Sequence, residues 1–283
     1  MFSIVHVSGP RFGGEADLDK VASLLSLLPD IEPSIIVVSG DLTTRARHGE
    51  FQAARVWIKE LERSAPTYVI PGDGDVQWWS RPLFPGGRTA QYSHYAQYFG
   101  PVLTPTLTCQ GAIIAGVHTA HGVTWQGLTG NPRDLGSKGH VSRADVTRVA
   151  HVFRDADPDL ARIVVMHHNI LRGGASGEMG VARWRQVHRW LMDCHPDLIL
   201  CGHDVQQKAD VMGGIVVSCA GAVATRGDGK VPSAFHRVRV DGGAVQIEPY
   251  EWDADKRVFK RGDMRAFARQ RVSDASAVTV GVV

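Results

Sequence analysis

Four side chains in this sequence stand where an apolar run stops: Asp41 in VVSGD, Asp73 in VIPGD, His167 in VVMHH and His203 in LILCGH. Carboxylates and imidazoles are the groups that ligate divalent metals and move protons. Any one of them at a strand end is more often a turn cap or a hydrogen-bonded surface residue. Four in order, each behind a β-rich run and three of them with a preceding glycine, reverse those odds.

The order of the motifs resembles that of the calcineurin-like metallophosphoesterases, from Ser3 to about Phe259. Members of that family open with H-[IV]-S-D-x-H-F-G, and this chain reads His6-Val7-Ser8-Gly9-Pro10-Arg11-Phe12-Gly13. The next motif stands intact as Gly40-Asp41. G-N-H-D appears as Gly72-Asp73-Gly74-Asp75, and G-H-x-H as Gly202-His203-Asp204-Val205. The resemblance implies a four-layer αββα sandwich and a site for two divalent metals that activate water against phosphorus. It assigns Asp41 as the bridging carboxylate and Asp41, Asp73, His167 and His203 as the ligands of the second metal. Gly9, Arg11 and Val205 stand where ligands of the first metal belong. One metal per chain is therefore expected, and the retained carboxylates and imidazoles suit Mn²⁺, Fe²⁺ or Zn²⁺.

Arg11, Asp75 and His168 are the candidate catalytic residues. With Asp75 left out, two carboxylates, one metal and Arg11 leave the pocket positive, fit for a phosphate. A guanidinium fork matches phosphate oxygens and never deprotonates, so Arg11 is a candidate surrogate for the missing ion. It could equally be a solvated loop residue or pair with Asp41 or Asp75. His168 reads as structural beside His167, because the family uses the first histidine of such a pair as ligand. Gly74 replaces a histidine that assists the leaving group, a contribution of about 10² to 10⁴ in rate. Good leaving groups should thus be favoured, and Gly74→His should help the poor ones.

The elements that must position these residues are legible as β-rich runs at Ser3 to Val7, Ile35 to Ser39, Thr67 to Ile70, Ile113 to Val117, Ile163 to Met166 and Leu198 to Cys201. Between them Leu18, Val21, Leu25 and Leu28 share a helical face, as do Phe51, Ala54, Ile58 and Leu61, and Val181, Trp184, Val187 and Leu191. Ser142 with Asp145 predicts the start of a helix ending near Phe153. This alternation calls for a largely parallel sheet with its site at the strands' C-terminal ends. Ile215 to Ser218, Phe235 to Val240 and Val245 to Tyr250 follow as strands, the last two joined by a hairpin at Asp241-Gly242-Gly243.

Length and the 43% hydrophobic content suit one large domain, here residues 1–259, followed by a basic tail, residues 260–283. From Lys256 to Arg271 the basic residues outnumber the single acid, Asp263, which predicts a solvated tail. The formal charge is only +2, so no broad duplex footprint is present and nucleic acid is not indicated. No stretch reads as a membrane span or signal peptide, and the four cysteines lack C-x-x-C spacing; a cytoplasmic protein with reduced thiols is expected. Arg45, Arg47 and the run Trp78-Trp79-Ser80-Arg81 follow the site motifs and could contact a phosphate and stack a base, although covering the core beneath a loop is the favoured reading for the two tryptophans.

The implied function is hydrolysis of a phosphodiester or another phosphate-containing small molecule, in the cyclic-nucleotide and phosphodiesterase-like branch that the long loop Gln77 to Gly100 and Tyr250-Glu251-Trp252 resemble. The alternative is a catalytically inactive protein of the same fold that binds a phosphate ligand or a protein partner.

Overall fold

The structure is a computed structural model, and it describes residues 1–14, 16–77, 91–121, 138–174, 176–225 and 231–269. Trp78, Trp79, Ser80, Arg81 and most of the loop ahead of Gly100 lie outside the described residues, as does the chain beyond Arg269.

In chain order the strands of the first half are β1 (Phe2–Val7), β2 (Ile35–Ser39), β3 (Thr67–Ile70), β4 (Thr106–Cys109), β5 (Ala112–Val117) and β6 (Ala161–Met166). The second half adds β7 (Leu198–Cys201), β8 (Lys208–Met212), β9 (Ile215–Cys219), β10 (Ala234–Val240), β11 (Ala244–Asp253), β12 (Val258–Arg261) and β13 (Arg265–Ala268). The helices are α1 (Leu18–Ile31), α2 (His48–Glu62), α3 (Ser93–Phe99), α4 (Arg143–Arg154) and α5 (Trp184–Met192).

Two sheets result. One runs β12-β11-β10-β1-β2-β3, with β13 also on β11; the other runs β4-β5-β6-β7-β9-β8. The parallel strands are divided between them: β1, β2 and β3 in the first, β5, β6, β7 and β9 in the second. The single, largely parallel sheet read from the alternation is thus two half-parallel sheets. Each is completed by antiparallel strands, β10 on β1 and β8 on β9.

Three apolar layers hold this together. Ile4, Val37 and Val238 face Ile114, Val165 and Leu200 between the sheets, all fully buried. Leu24, Leu28, Phe51 and Ile58 of α1 and α2 cover the outer face of the first sheet, and Val149, Phe153, Val187 and Leu191 of α4 and α5 cover the second. That is the expected αββα order. Burying such side chains is worth roughly 1.5–3 kcal/mol each.

Local signals held with small rotations. Ser142 Oγ accepts from the Asp145 amide at 3.0 Å and starts α4 as the capping pattern predicts. On α1 the buried stripe is Val21, Leu24, Leu28 and Ile31, while Leu18 is 64% exposed. Val181 does not open α5; it bridges to Gly139, and the helix begins at Trp184. The basic segment read as a tail from residue 260 is structured at least to Ala268, because β13 pairs Arg265–Ala268 with Ile247–Ala244.

The layer between the sheets carries one polar seam. His6 of β1 lies opposite His236 of β10 in register. Ser218 Oγ from the other sheet sits 2.9 Å from His6 Nδ1 and 2.8 Å from His236 Nδ1, while Ser39 Oγ and Gln207 Oε1 satisfy the far nitrogens at 3.0 and 2.9 Å. Burial pushes the His236 imidazole down to about 3, and burial with the His236 charge holds His6 well below its ordinary value. The unfolded chain titrates these rings near 6.5, so below that pH it binds protons that the folded chain refuses. Both rings therefore withdraw stability as pH falls below about 6.5, and His236 does so down to about 3, by roughly 2 kcal/mol at pH 5. His236→Gln should shrink the stability lost between pH 7.5 and pH 5 by about 2 kcal/mol, measured by denaturant titration. An unchanged loss would place the acid sensitivity elsewhere.

Candidate metal centre

The candidate residues meet where the two sheets end. Arg11 follows β1, Asp41 follows β2, Asp73 and Asp75 form a single 3-10 turn after β3, and His167, His168 and His203 follow β6 and β7. Three of these positions lie in the left-handed region: Arg11 at φ 47°, Asp41 at 56° and His203 at 66°. Non-glycine residues there cost about 1–3 kcal/mol each and concentrate at functional sites. Close packing of the loops sets the glycines. A Cβ on Gly72 would lie 2.2 Å from the Asp41 amide nitrogen, so only glycine lets the two loops touch.

Asp73, His167 and His203 each bring one ligand atom within 4.8 Å of the others, the sole such cluster of three among the described residues. His167 Nδ1–H donates to the Ser39 carbonyl at 2.8 Å, which leaves the Nε2 lone pair facing Asp41 Oδ1 at 3.3 Å with no hydrogen bond between them. His203 Nδ1 is likewise buried without a hydrogen-bond partner, 3.5 Å from Asp73 Oδ2. Buried nitrogens aimed at carboxylate oxygens without a hydrogen bond fit a cation held among them. The residues therefore fit a divalent metal with mixed nitrogen and oxygen donors.

Two members of the site differ from expectation. Asp41 lies beside the cluster but is otherwise engaged: Arg11 Nη2 donates to its Oδ2 at 2.9 Å and the Gly74 amide to its Oδ1 at 2.9 Å. Of the readings open for Arg11, the ion pair with Asp41 is the one formed in the protein alone. His168 is nearer the chemistry than its sequence position suggests. Its Nε2 is 2.9 Å from Asp73 Oδ2, poorly aligned for a hydrogen bond, and its ring lies 4.4 Å from that of His203. Thr119 was not picked out from sequence, yet its hydroxyl is 2.9 Å from His168 Nδ1 and accepts the His168 amide at 3.2 Å. Its signal was position, two residues past the end of β5.

Asp75, a candidate catalytic residue from its motif, is placed as a brace between loops. It is fully buried, and its oxygens accept the amides of Gly72, Leu42 and Thr43 at 2.8, 3.1 and 2.8 Å and the Thr43 hydroxyl at 3.0 Å. The carboxylate ties the Asp41 loop to the Asp73 turn. Burial and the neighbouring Asp41 charge push it up to about 7, against the pull of those amides. Burial works to raise Asp73 and Asp41 as well. His168, His167 and His203 outweigh it at Asp73, and His167 and Arg11 outweigh it at Asp41, so both stay below the ordinary carboxylate range. His203 is pushed down to about 3 by burial and by His168, which keeps it an electron-pair donor.

Gly74 also changes one expectation. A Cβ there would lie 2.1 Å from the Thr43 carbonyl oxygen, so Gly74→His would displace the loop instead of restoring a proton donor. At Gly9 a Cβ would sit at ordinary contact, 3.4 Å from Ala222, but φ 58° strains any other residue there. Val205 is 39% exposed and brings no donor atom from its side chain.

In overall shape the chain is similar to purple acid phosphatase PPD1 from yellow lupin, with a TM-score of 0.66 at 11% identity over 95% of this chain, although it spans only 54% of that protein. A dimetal phosphatase from Danio rerio gives the same TM-score, 0.66, at 11% identity over 95% of this chain and 99% of that one. The protein TT1561 of Thermus thermophilus gives 0.51 at 14% identity, over 93% and 98%. No curated protein matches the chain in sequence. Among the described residues no helix is long and apolar enough to cross a membrane. Residues 5–207 match the model of the calcineurin-like phosphoesterases, a family that generally uses divalent metals. With the motif order and the site at the ends of both sheets, that match makes this chain a member of the calcineurin-like phosphoesterase family.

Proposed function

We propose that the protein is a divergent metal-dependent phosphoesterase that hydrolyses phosphodiesters with good leaving groups at one retained metal site. The observation that carries this is the cluster of Asp73, His167 and His203, whose buried nitrogens are aimed without hydrogen bonds at carboxylate oxygens. Mn²⁺, Fe²⁺ or Zn²⁺ held there, with Asp41 beside it, would supply Lewis acidity toward a phosphoryl oxygen and toward water.

The chain's own groups divide the remaining work. Arg11 is 30% exposed on its side chain and already oriented by Asp41, so it can turn its guanidinium onto two phosphoryl oxygens. The Ser39 carbonyl holds His167 in the tautomer that presents Nε2 to the site. Thr119 fixes the plane of His168 against Asp73. As water oxygen bonds to phosphorus and gives up a proton to solvent, the ester oxygen leaves with its electron pair and takes a proton from solvent in turn. With glycine at 74 that position offers no proton, so esters of acidic alcohols are favoured.

The test is elemental analysis of the dialysed protein together with a series of aryl and alkyl phosphodiesters in excess Mn²⁺. About one metal per chain, turnover of nitrophenyl diesters and slow alkyl diesters are expected; Arg11→Ala should weaken phosphate binding by roughly 1.5–3 kcal/mol. Two metals per chain would sink the single-site reading. Absence of metal-dependent hydrolysis with every aryl diester would leave the alternative, a phosphate-binding member without activity, which the Arg11–Asp41 ion pair and Gly74 favour.

A further inference from the structure

Three ring nitrogens at the metal centre are buried without a hydrogen-bond partner: His167 Nε2, His203 Nδ1 and His168 Nε2. The first two belong to the cluster with Asp73, whereas the motif order gives a ligand's part to His167 and none to His168. The geometry gives His168 one. It is 1% exposed, and its Nε2 lies 2.9 Å from Asp73 Oδ2, the same oxygen that His203 Nδ1 faces at 3.5 Å.

A hydrogen bond does not account for that approach, because the alignment is too poor at this distance. Two donors held at about 2.0–2.2 Å by one cation stand roughly 2.9–3.5 Å apart, from right-angle to tetrahedral coordination. The separations of His168 from Asp73, His167 from Asp41 and His203 from Asp73 are 2.9, 3.3 and 3.5 Å, all within that range.

The His168 ring is also held where it can donate an electron pair. Thr119 Oγ1 accepts the His168 amide at 3.2 Å and lies 2.9 Å from Nδ1. With Nδ1–H donating to that hydroxyl, the Nε2 lone pair points at Asp73, as the Ser39 carbonyl arranges for His167. Gly139 makes room for the ring, since a Cβ there would lie 2.4 Å from His168 Cγ and Nδ1. Its backbone is fixed in turn: the amide donates to the Gly180 carbonyl at 2.8 Å, and the carbonyl accepts the Ala182 amide at 2.9 Å. The ring centres of His168 and His203 are 4.4 Å apart, those of His167 and His168 5.1 Å, and those of His167 and His203 5.4 Å.

We propose that His168 is itself a ligand of the metal, so that the site combines three imidazoles with Asp73, has Asp41 beside them, and prefers Zn²⁺ or Fe²⁺ over Mn²⁺. Imidazole suits zinc and iron while Mn²⁺ favours oxygen donors, so an added ring moves the selectivity in that direction. The inference rests on the metal reading above and deepens it, from an open choice of three metals to a donor set and an order of preference.

The test is X-ray absorption at the zinc edge of the full chain loaded with Zn²⁺, which counts bound imidazoles by their multiple scattering. Three rings are expected in the parent and two in His168→Phe, which keeps a ring beside Gly139 but offers no donor. Competition against a chelator should show the variant binding Zn²⁺ about 100-fold more weakly or worse, with a loss toward Mn²⁺ roughly tenfold smaller. A thermal melt confirms that the variant is folded. Two rings in the parent would overturn the inference whether or not the variant folds, as would an unchanged zinc affinity in the folded variant.

The outcomes also separate His168 from the reading beneath it. Zinc bound by two rings in the parent removes His168 and leaves the metal centre. A parent that binds no zinc removes the centre and His168 with it. Three rings without hydrolysis of any aryl phosphodiester remove the hydrolase and leave His168 as a ligand.

Discussion

Asp73→Ala is expected to lower metal-dependent hydrolysis of a nitrophenyl phosphodiester about 10³-fold or more, and to empty the protein of metal after dialysis. Asp73 is the one carboxylate among the three clustered ligands, and both His168 Nε2 and His203 Nδ1 face its Oδ2, at 2.9 and 3.5 Å. Without it three imidazoles crowd together, and the one carboxylate left beside them, Asp41, is already paired with Arg11. A metal is worth several kcal/mol to phosphoryl chemistry, and each 1.36 kcal/mol is a factor of ten in rate. Asp73→Asn, which keeps an oxygen donor at the same reach, should lose far less. An alanine variant with full metal content and undiminished kcat/KM would remove Asp73 from the site.

Asp75→Ala is expected to cost about 3 kcal/mol of folding free energy, because three buried amides and a hydroxyl lose their acceptor at once. The loss should appear as a melting temperature lower by roughly 6–12 °C. It should also appear as faster hydrogen exchange at Leu42 and Thr43, whose amides the carboxylate holds. Asp75→Asn keeps an accepting oxygen and should retain most of the stability. A loss below about 1 kcal/mol in the alanine variant would mean that water replaces the carboxylate.

How much was legible in the sequence follows from what each residue does locally. Asp41, Asp73, His167 and His203 each end an apolar run, so strand periodicity located them. The division of the parallel strands between two sheets depends on long-range pairing and came from family resemblance, not from the runs themselves. Asp75 and His168 share the motifs of their neighbours; only burial and partner geometry distinguish a brace from a ligand. β4, β8, β12 and β13 escaped because all are edge strands of four or five residues, too short for alternation to stand out, and Lys208, Lys260, Arg261 and Arg265 break the apolar pattern in three of them. Arg269 reads as tail composition, yet its guanidinium is 4% exposed, 2.8 Å from Asp197, and donates to the carbonyls of Leu160 and Asp241. A buried ion pair of that kind cannot be read from composition, because its stability depends on complete hydrogen bonding.

The place of β1 inside its sheet also sets a clock on biosynthesis. Phe2–Val7 pairs with β2 soon after emerging, but its other side pairs with β10, where Phe2 meets Val240. At about 5 to 20 residues per second, that side stays open for on the order of 10 to 50 s while the ribosome finishes the chain. Val5 and Val7, fully buried in the finished protein, lie on this half-paired strand throughout. Slowing translation prolongs the exposure of that open side.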